Sequence, residues 1–288
     1  MNLVQSMSDE GLRVQPAGTL VDKVLDAIRE GPMDSESIAR DVLGLSGAPR
    51  VVSDRVLVAL IGSDPRASRL ADGRWAIANA TFESPKISDC VFAVVDVETT
   101  GLSAGNGDRI VEIAIVAATK TTIELAFESL VNPERPVGEF TSELTQITDE
   151  MVKDAPTFAE IADDVMAALA GRVFVAHNVS FDWGFVRREL RRARDLTLEG
   201  PKLCTVDLTR RYVTGLKRRN LDTVADYFGL DFEERHRAAG DALVTARLLQ
   251  RLLDIAQEKG ANTVSDLRAS GQKGRKKRSA MPRSMEEL

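Results

Sequence analysis

The chain has 288 residues, of which 43% are hydrophobic, 28% charged and 5% aromatic, and its formal net charge is −6. Those values describe an ordinary soluble globular protein with length enough for two domains, and the acidic balance does not advertise a nucleic-acid binder. Two cysteines, Cys90 and Cys204, without a CxxC pair, argue against a disulfide scaffold and a structural zinc site, and Met1 to Glu10 lacks the basic stretch and apolar core of a secretory signal, so a cytoplasmic protein is expected.

From the amino terminus, Leu20, Val21, Val24, Leu25 and Ile28 recur at helical spacing and Gly31-Pro32 ends the run. Asp34 or Ser35 is placed to cap a second helix through Val42, and Ser53 to cap a third containing Val56, Leu57, Ala59 and Leu60. Ala67 to Ile77 reads as a hairpin turning at Asp72-Gly73. Three helices and a hairpin predict a small winged-helix-like α+β domain over residues 1–85. Nine Lys/Arg against twelve Asp/Glu there, a net of −3, favour protein contact or structural support over DNA reading.

From Val91 the pattern becomes alternating strands and helices. Strands are expected at Val91 to Val97, Arg109 to Thr119 and Thr122 to Val131, the last two joined as a hairpin at Lys120-Thr121. A helix over Phe158 to Ala170, a short strand over Val173 to Ala176 and a helix over Ser180 to Arg194 follow. A fifth strand is expected over Leu203 to Leu208, running into a helix, the next helix starts at Asn220 or Leu221 and stops at Gly229, and the last runs from Gly240 or Asp241 to about Glu258. A strand hairpin followed by βα units predicts an α/β domain, residues 86–260, with a mixed sheet flanked by helices. The stretch 261–288, rich in Gly, Ser, Lys and Arg, is expected to be a basic, disordered tail. Basic clusters at Arg187 to Arg194, Arg210 to Arg219 and Lys273 to Arg278 are each a solvated face or part of a surface for a polyanion.

Asp96 and Glu98 interrupt the first of these strands. At i and i+2 they project from one face, where two like charges repel and burial is costly. Either a hard divalent cation sits between them or the strand end reaches water. Asp182 falls in the first turn of a helix and Asp241 at the start of another, positions a carboxylate occupies for the helix dipole alone. His177 and His236, the only histidines, precede those two helices, and either is equally readable as a loop histidine.

In combination, Asp-x-Glu on a strand, Asn178-x-x-Phe181-Asp182 at a strand-to-helix corner and His236-x-x-x-x-Asp241 at a helix start resemble the DEDDh, DnaQ-like 3′–5′ exonucleases, a family that includes proofreading epsilon subunits of bacterial DNA polymerase III. The likeness extends to residues 96–102, 109–114, 147–151 and 220–225 and covers about residues 90–255. It implies a ribonuclease H-like fold and a metal site of Asp96, Glu98, Asp182 and Asp241 holding two Mg²⁺ or Mn²⁺. It further implies His236 as general base, and Thr99, Leu102, Asn178 and Phe181 around the terminal nucleotide. Leu144-Thr145-Gln146-Ile147 stands where the proofreading subunit has a histidine, and Thr145 is given a phosphate or sugar contact. The implied partners are single-stranded DNA or RNA 3′ ends, DNA favoured, and a polymerase or repair protein at the amino-terminal module. An RNA-trimming exonuclease, a non-catalytic nucleic-acid or polymerase-binding module, and a transcription regulator built on that module are the alternatives.

Overall fold

The computed structural model describes residues 11–16, 19–29, 31–78, 84–232 and 235–268. The amino-terminal unit follows β1 (Arg13–Pro16) with α1 (Leu20–Arg29), α2 (Ser35–Asp41), α3 (Arg50–Ile61) and the hairpin of β2 (Ala67–Arg69) and β3 (Trp75–Ile77). Val24, Leu25, Ile28, Ile38, Leu57, Ile61 and Trp75 form its core. The Asp34 side chain caps α2 by accepting from Ser37 N at 2.9 Å, as its type and position predict. Ser53 does not cap α3. The helix opens one turn earlier, behind Pro49 (φ −59°), and Ser53 lies buried within it.

The larger unit carries β4 (Phe92–Thr99), β5 (Ile110–Ala118), β6 (Ile123–Leu130), α4 (Glu139–Thr145), α5 (Asp149–Lys153), α6 (Phe158–Leu169), β7 (Val173–Ala176) and α7 (Val179–Arg194). Then come β8 (Leu196–Glu199), β9 (Lys202–Cys204), α8 (Thr205–Tyr212), α9 (Leu221–Phe228), α10 (Ala238–Glu258) and α11 (Val264–Arg268). Five strands form one mixed sheet in the order β6-β5-β4-β7-β9, with β4 central, antiparallel to β5 and parallel to β7. Strand alternation sends Phe92 and Val94 into the core shared with α10, and Ala93, Val95 and Val97 into the core shared with α6 and α7. The mixed, helix-flanked sheet expected from the sequence is therefore present.

Several elements escape local pattern reading. β8 pairs not with the main sheet but with β1, matching Arg13 to Glu199 and Pro16 to Leu196. Leu12 is fully buried in the larger unit's core, and its backbone exchanges bonds with Arg172 O (2.8 Å) and Gly171 N (2.9 Å). Gly11 permits that approach, since a Cβ there would lie 2.2 Å from the Gly171 carbonyl carbon. The expected boundary at residue 85 is thus crossed by residues 11–16. The expected tail also begins too early: Ala261, Val264 and Leu267 are buried in the larger core, and Lys86 pairs with Thr263. Residues 269–288, with the basic cluster at 273–278, lie outside the described residues, as do residues 1–10. Among the described residues no helix is long and apolar enough to cross a membrane.

One buried ion pair fixes α7 against the sheet. Arg109, at the mouth of β5, donates through Nε to Glu189 Oε1 (2.6 Å) and through Nη2 to Oε2 (3.1 Å), with the two side chains 10% and 4% exposed. Without Glu189, the buried Arg109 guanidinium keeps only its single bond to the exposed Glu134 carboxylate (Nη1 to Oε2, 3.1 Å). Because Arg109 keeps Glu134, Glu189→Ala is expected to cost less than a fully orphaned buried charge, on the order of 2–3 kcal/mol, read as a lower urea midpoint at unchanged slope.

Candidate active site

The acid pair sits at the carboxyl-terminal half of β4, in register with β5: Asp96 opposite Ala114 and Glu98 opposite Glu112. The parallel pairing with β7 runs only from Phe92 to Val94, so the strands part just before Asp96. Into that opening come the starts of α7 and α10. Carboxylate oxygens of Asp96, Glu98 and Asp241 lie within 4.8 Å of one another, an arrangement able to hold a metal ion. Asp182, 4% exposed, stands outside that triplet, near enough for its charge to act on Asp96.

Crowding of acids shows in their proton affinities. Burial, reinforced by Asp182, Asp241 and Glu98, holds the Asp96 carboxyl well above the usual carboxylate range. Burial and the charges of Asp241 and Glu112 push Glu98 up to about 8, burial pushes Asp182 up to about 8, and burial also raises Asp241 despite the Arg235 guanidinium beside it. Oδ1 of Asp241 is buried with no hydrogen-bond partner among the described residues. A bare, buried carboxylate oxygen facing like charges is chemically suited to a hard cation.

His236 lies two residues before α10 in a left-handed backbone conformation, φ +60°. A non-glycine residue is rarely found there, and the surroundings must hold it. Glu112 supplies that hold. Its carboxylate takes Arg237 Nη2 at 2.5 Å and Nε at 3.0 Å, and accepts from Ala238 N at 2.8 Å, capping α10 from the neighbouring strand. This remote cap is why α10 opens at Ala238, two or three residues before the expected Gly240 or Asp241. Nothing adjacent to Asp241 in the sequence reveals it; the only hint is Glu112 interrupting an otherwise apolar strand. His177 takes no part in the cluster. Its Nε2 meets the Arg219 carbonyl at 2.8 Å, so that nitrogen donates, leaving Nδ1 to accept from the Thr205 hydroxyl at 2.8 Å; burial lowers its pKa. It ties the loop before α9 to the end of β7.

Beside the acids lies a cavity of about 270 Å³ lined by Val97, Glu98, Thr99, Leu102, Leu144, Thr145 and Phe181, among others. Gly101 allows the turn after β4 to fold tightly, since a Cβ there would lie 2.5 Å from the Asp108 carboxylate. The turn presents Leu102 81% exposed, a large apolar side chain offered to solvent at the cavity rim. The Thr99 hydroxyl donates to Gly101 O (2.6 Å), and Thr141 reaches Thr99 O (3.0 Å), closing α4 over the turn. Thr145 is 2% exposed with its hydroxyl spent on Thr141 O and Ile147 N, so it shapes the wall with no free polar atom to offer. Phe181 packs on Phe185 with centroids 4.9 Å apart. Asn178 is exposed in a left-handed conformation, φ +74°, at the start of α7, outside the cavity lining.

A mixed sheet in this order, with carboxylates from its central strand and from two helix starts converging at one edge, defines a ribonuclease H-like nuclease fold. The chain belongs to the exonuclease family, whose profile, described as Exonuclease, matches residues 93–249. It is similar to a DNA polymerase III PolC-type protein of Caldanaerobacter subterraneus subsp. tengcongensis, 38% identical over 187 residues that make up 65% of this chain and 13% of that one. It is also similar to the 3′-5′ exonuclease DinG of Bacillus subtilis, 35% identical over 181 residues, 63% of this chain and 19% of the relative. The match thus spans only 13% and 19% of those relatives' lengths. Among solved structures it resembles E. coli Exonuclease I in complex with a dT13 oligonucleotide in fold, with a TM-score of 0.51 and 15% identity over 59% of this chain and 42% of that one.

The raised carboxylates have a consequence for stability. The unfolded chain releases the Glu98 and Asp182 protons near their ordinary values of 4.5 and 3.8, whereas the metal-free fold keeps them to about 8. The folded state binds the extra protons, so this contribution is present below the ordinary values and is lost as pH rises through about 8. In EDTA the melting temperature is expected to fall on the order of 5 °C between about pH 5 and about pH 8.5, and millimolar Mn²⁺ should restore it more at the higher pH. Differential scanning calorimetry at the two pH values, with and without Mn²⁺, checks this.

Proposed function

We propose that this chain is a divalent-metal-dependent 3′–5′ exonuclease that removes nucleoside 5′-monophosphates one at a time from single-stranded or frayed 3′ ends, in proofreading or repair. The observation that carries the reading is the double place of Glu98, a member of both the acid triplet and the wall of the adjoining cavity. A terminal nucleoside seated in that cavity sets its phosphodiester against the acids. DNA is the favoured substrate, because PolC-type relatives are named as DNA polymerases.

In this reading Asp96, Glu98, Asp182 and Asp241 would hold two Mg²⁺ or Mn²⁺, a donor set of hard oxygens that fits such ions, with the bare Oδ1 of Asp241 available to them. Bound there, the ions would lower the pKa of the attacking water and offset charge on the scissile phosphate and the departing 3′ oxygen. His236 would serve as general base toward the attacking water. Glu112 and Arg237 keep its segment aimed at the cleft. Leu102 wedges against the terminal base, Phe181 lines the same cavity, Thr99 flanks the sugar, Thr145 supports the wall, and Asn178, outside the lining, stands at the start of α7. A non-catalytic binding module would have no need of this costly acid cluster.

The unit from Leu20 to Ile77 is read as a winged-helix-like module, with the nuclease domain following it and a basic tail after residue 268. It meets a polymerase or another replication or repair protein rather than DNA bases. Val51, Val52 and Val58 are exposed on α3, the helix that would read DNA, and the net charge of residues 1–85 is −3.

The test is digestion of 5′-labelled single-stranded DNA and RNA of one sequence with Mg²⁺, Mn²⁺ or EDTA. A ladder shortening from the 3′ end, faster on DNA and absent in EDTA, is expected; cleavage in EDTA, or none with either metal, would refute the reading. Asp96→Asn should remove turnover without lowering the metal-free melting temperature, since it relieves like-charge repulsion. His236→Ala is expected to lower kcat by about 10²–10⁴-fold while strand affinity by fluorescence anisotropy changes less than about twofold. A loss confined to affinity would make His236 a binding residue instead.

A further inference from the structure

We propose that Arg235 is a positioning residue for the acid cluster, a built-in counter-charge that orients Asp241 before a metal ion arrives and opposes that ion's binding. The inference rests on the metal-binding reading of Asp96, Glu98 and Asp241 above. Arg235 precedes His236 and is gripped from α9. Its Nε donates to Asp222 Oδ1 at 2.5 Å and its Nη2 to Asp222 Oδ2 at 3.1 Å, a two-pronged bond that fixes the plane of the guanidinium. Its carbon centre lies 4.9 Å from the Phe232 ring centroid. The remaining arm, Nη1, donates to Asp241 Oδ2 and comes within 3.4 Å of His236 Nδ1. The Arg235 side chain is 28% exposed and that of Asp241 8%, so the contact is poorly screened by water.

One carboxylate is thereby divided between two tasks. Oδ2 of Asp241 is covered by a tethered cation, while Oδ1 is bare and buried. With no metal present, the guanidinium offsets part of the repulsion among Asp96, Glu98 and Asp241. With a divalent ion present, the same fixed charge sits against one of the ligands and repels the ion. Arg235 therefore stabilises the acid cluster in the absence of metal and sets the metal concentration needed for binding. Asp222 moderates the effect by sharing the guanidinium charge and holding its position.

These two actions have opposite signs, which separates them from a merely structural role. On chelator-treated full-length protein, Mn²⁺ affinity is measured by electron paramagnetic resonance of free Mn²⁺, and the melting temperature in EDTA by calorimetry. Arg235→Ala is expected to bind Mn²⁺ about tenfold more tightly than wild type while melting at a lower temperature in EDTA. Arg235→Lys keeps the charge and should stay near wild-type affinity. Asp222→Asn should weaken Mn²⁺ binding, and that effect should shrink when Arg235 is also replaced by Ala, a coupling a double-mutant cycle reads directly. Equal or weaker Mn²⁺ binding by Arg235→Ala overturns the proposal. If that variant fails to fold, Arg235→Gln carries the same test. Wild-type protein that binds no Mn²⁺ overturns instead the metal reading beneath it, so the two failures are distinguishable.

Discussion

The structure turns on an electrostatic conflict: oxygens of Asp96, Glu98 and Asp241 are gathered within 4.8 Å, with Asp182 close behind. Left alone, such a set would be relieved by moving apart, by taking up protons or by binding a cation. Movement is resisted by the scaffold. Asp96 and Glu98 are locked in the register of the central strand, Asp182 is buried in the first turn of α7, and Asp241 sits on the longest described helix, 21 residues, most of whose inner face is buried. What remains is proton uptake or a cation. The raised proton affinities and the bare oxygen of Asp241 express the same stress in two ways.

Around the acids, a second layer of opposite charge keeps the geometry. Glu112 reaches from β5 to Arg237 and the amide of Ala238, Arg109 ties Glu189 on α7 to the sheet, and Asp222 on α9 holds Arg235. Each pair joins a strand or helix to one of the segments that deliver an acid or His236. The same economy is visible at the chain's edges. Residues 11–16 strap onto β8, and residues 261–268 return to Lys86 and the main core, so both flanks of the nuclease unit are pinned.

Much of this was legible from sequence wherever the signal is local. Asp-x-Glu in an apolar strand, the Lys120-Thr121 hairpin, the apolar period of Phe158 to Leu169 and the glycine stop at 229 each act over a few residues, and each element appears within a residue or two of its expected place. The ordered set of acids carried the family, since no single member distinguishes a ligand from a helix-start carboxylate. Long-range partners were not legible. Glu112 capping α10 spans 126 residues, and β1 meets β8 across nearly two hundred. Arg235 carries no signal in the sequence, because its meaning comes from Asp222 and Asp241. Thr145 looked free for a phosphate, yet its hydroxyl is consumed by the end of its own helix.

The central claim is that the conflict among these carboxylates is resolved by divalent cations. A crystal grown with Mn²⁺ and a nucleoside 5′-monophosphate, with anomalous scattering collected near the manganese edge, tests it most directly. The account predicts two anomalous peaks about 3.5–4 Å apart, contacted by Asp96, Glu98 and Asp241, with the nucleoside in the cavity beside Leu102 and Phe181. Peaks elsewhere, or a cluster holding no metal at saturating Mn²⁺, would contradict it.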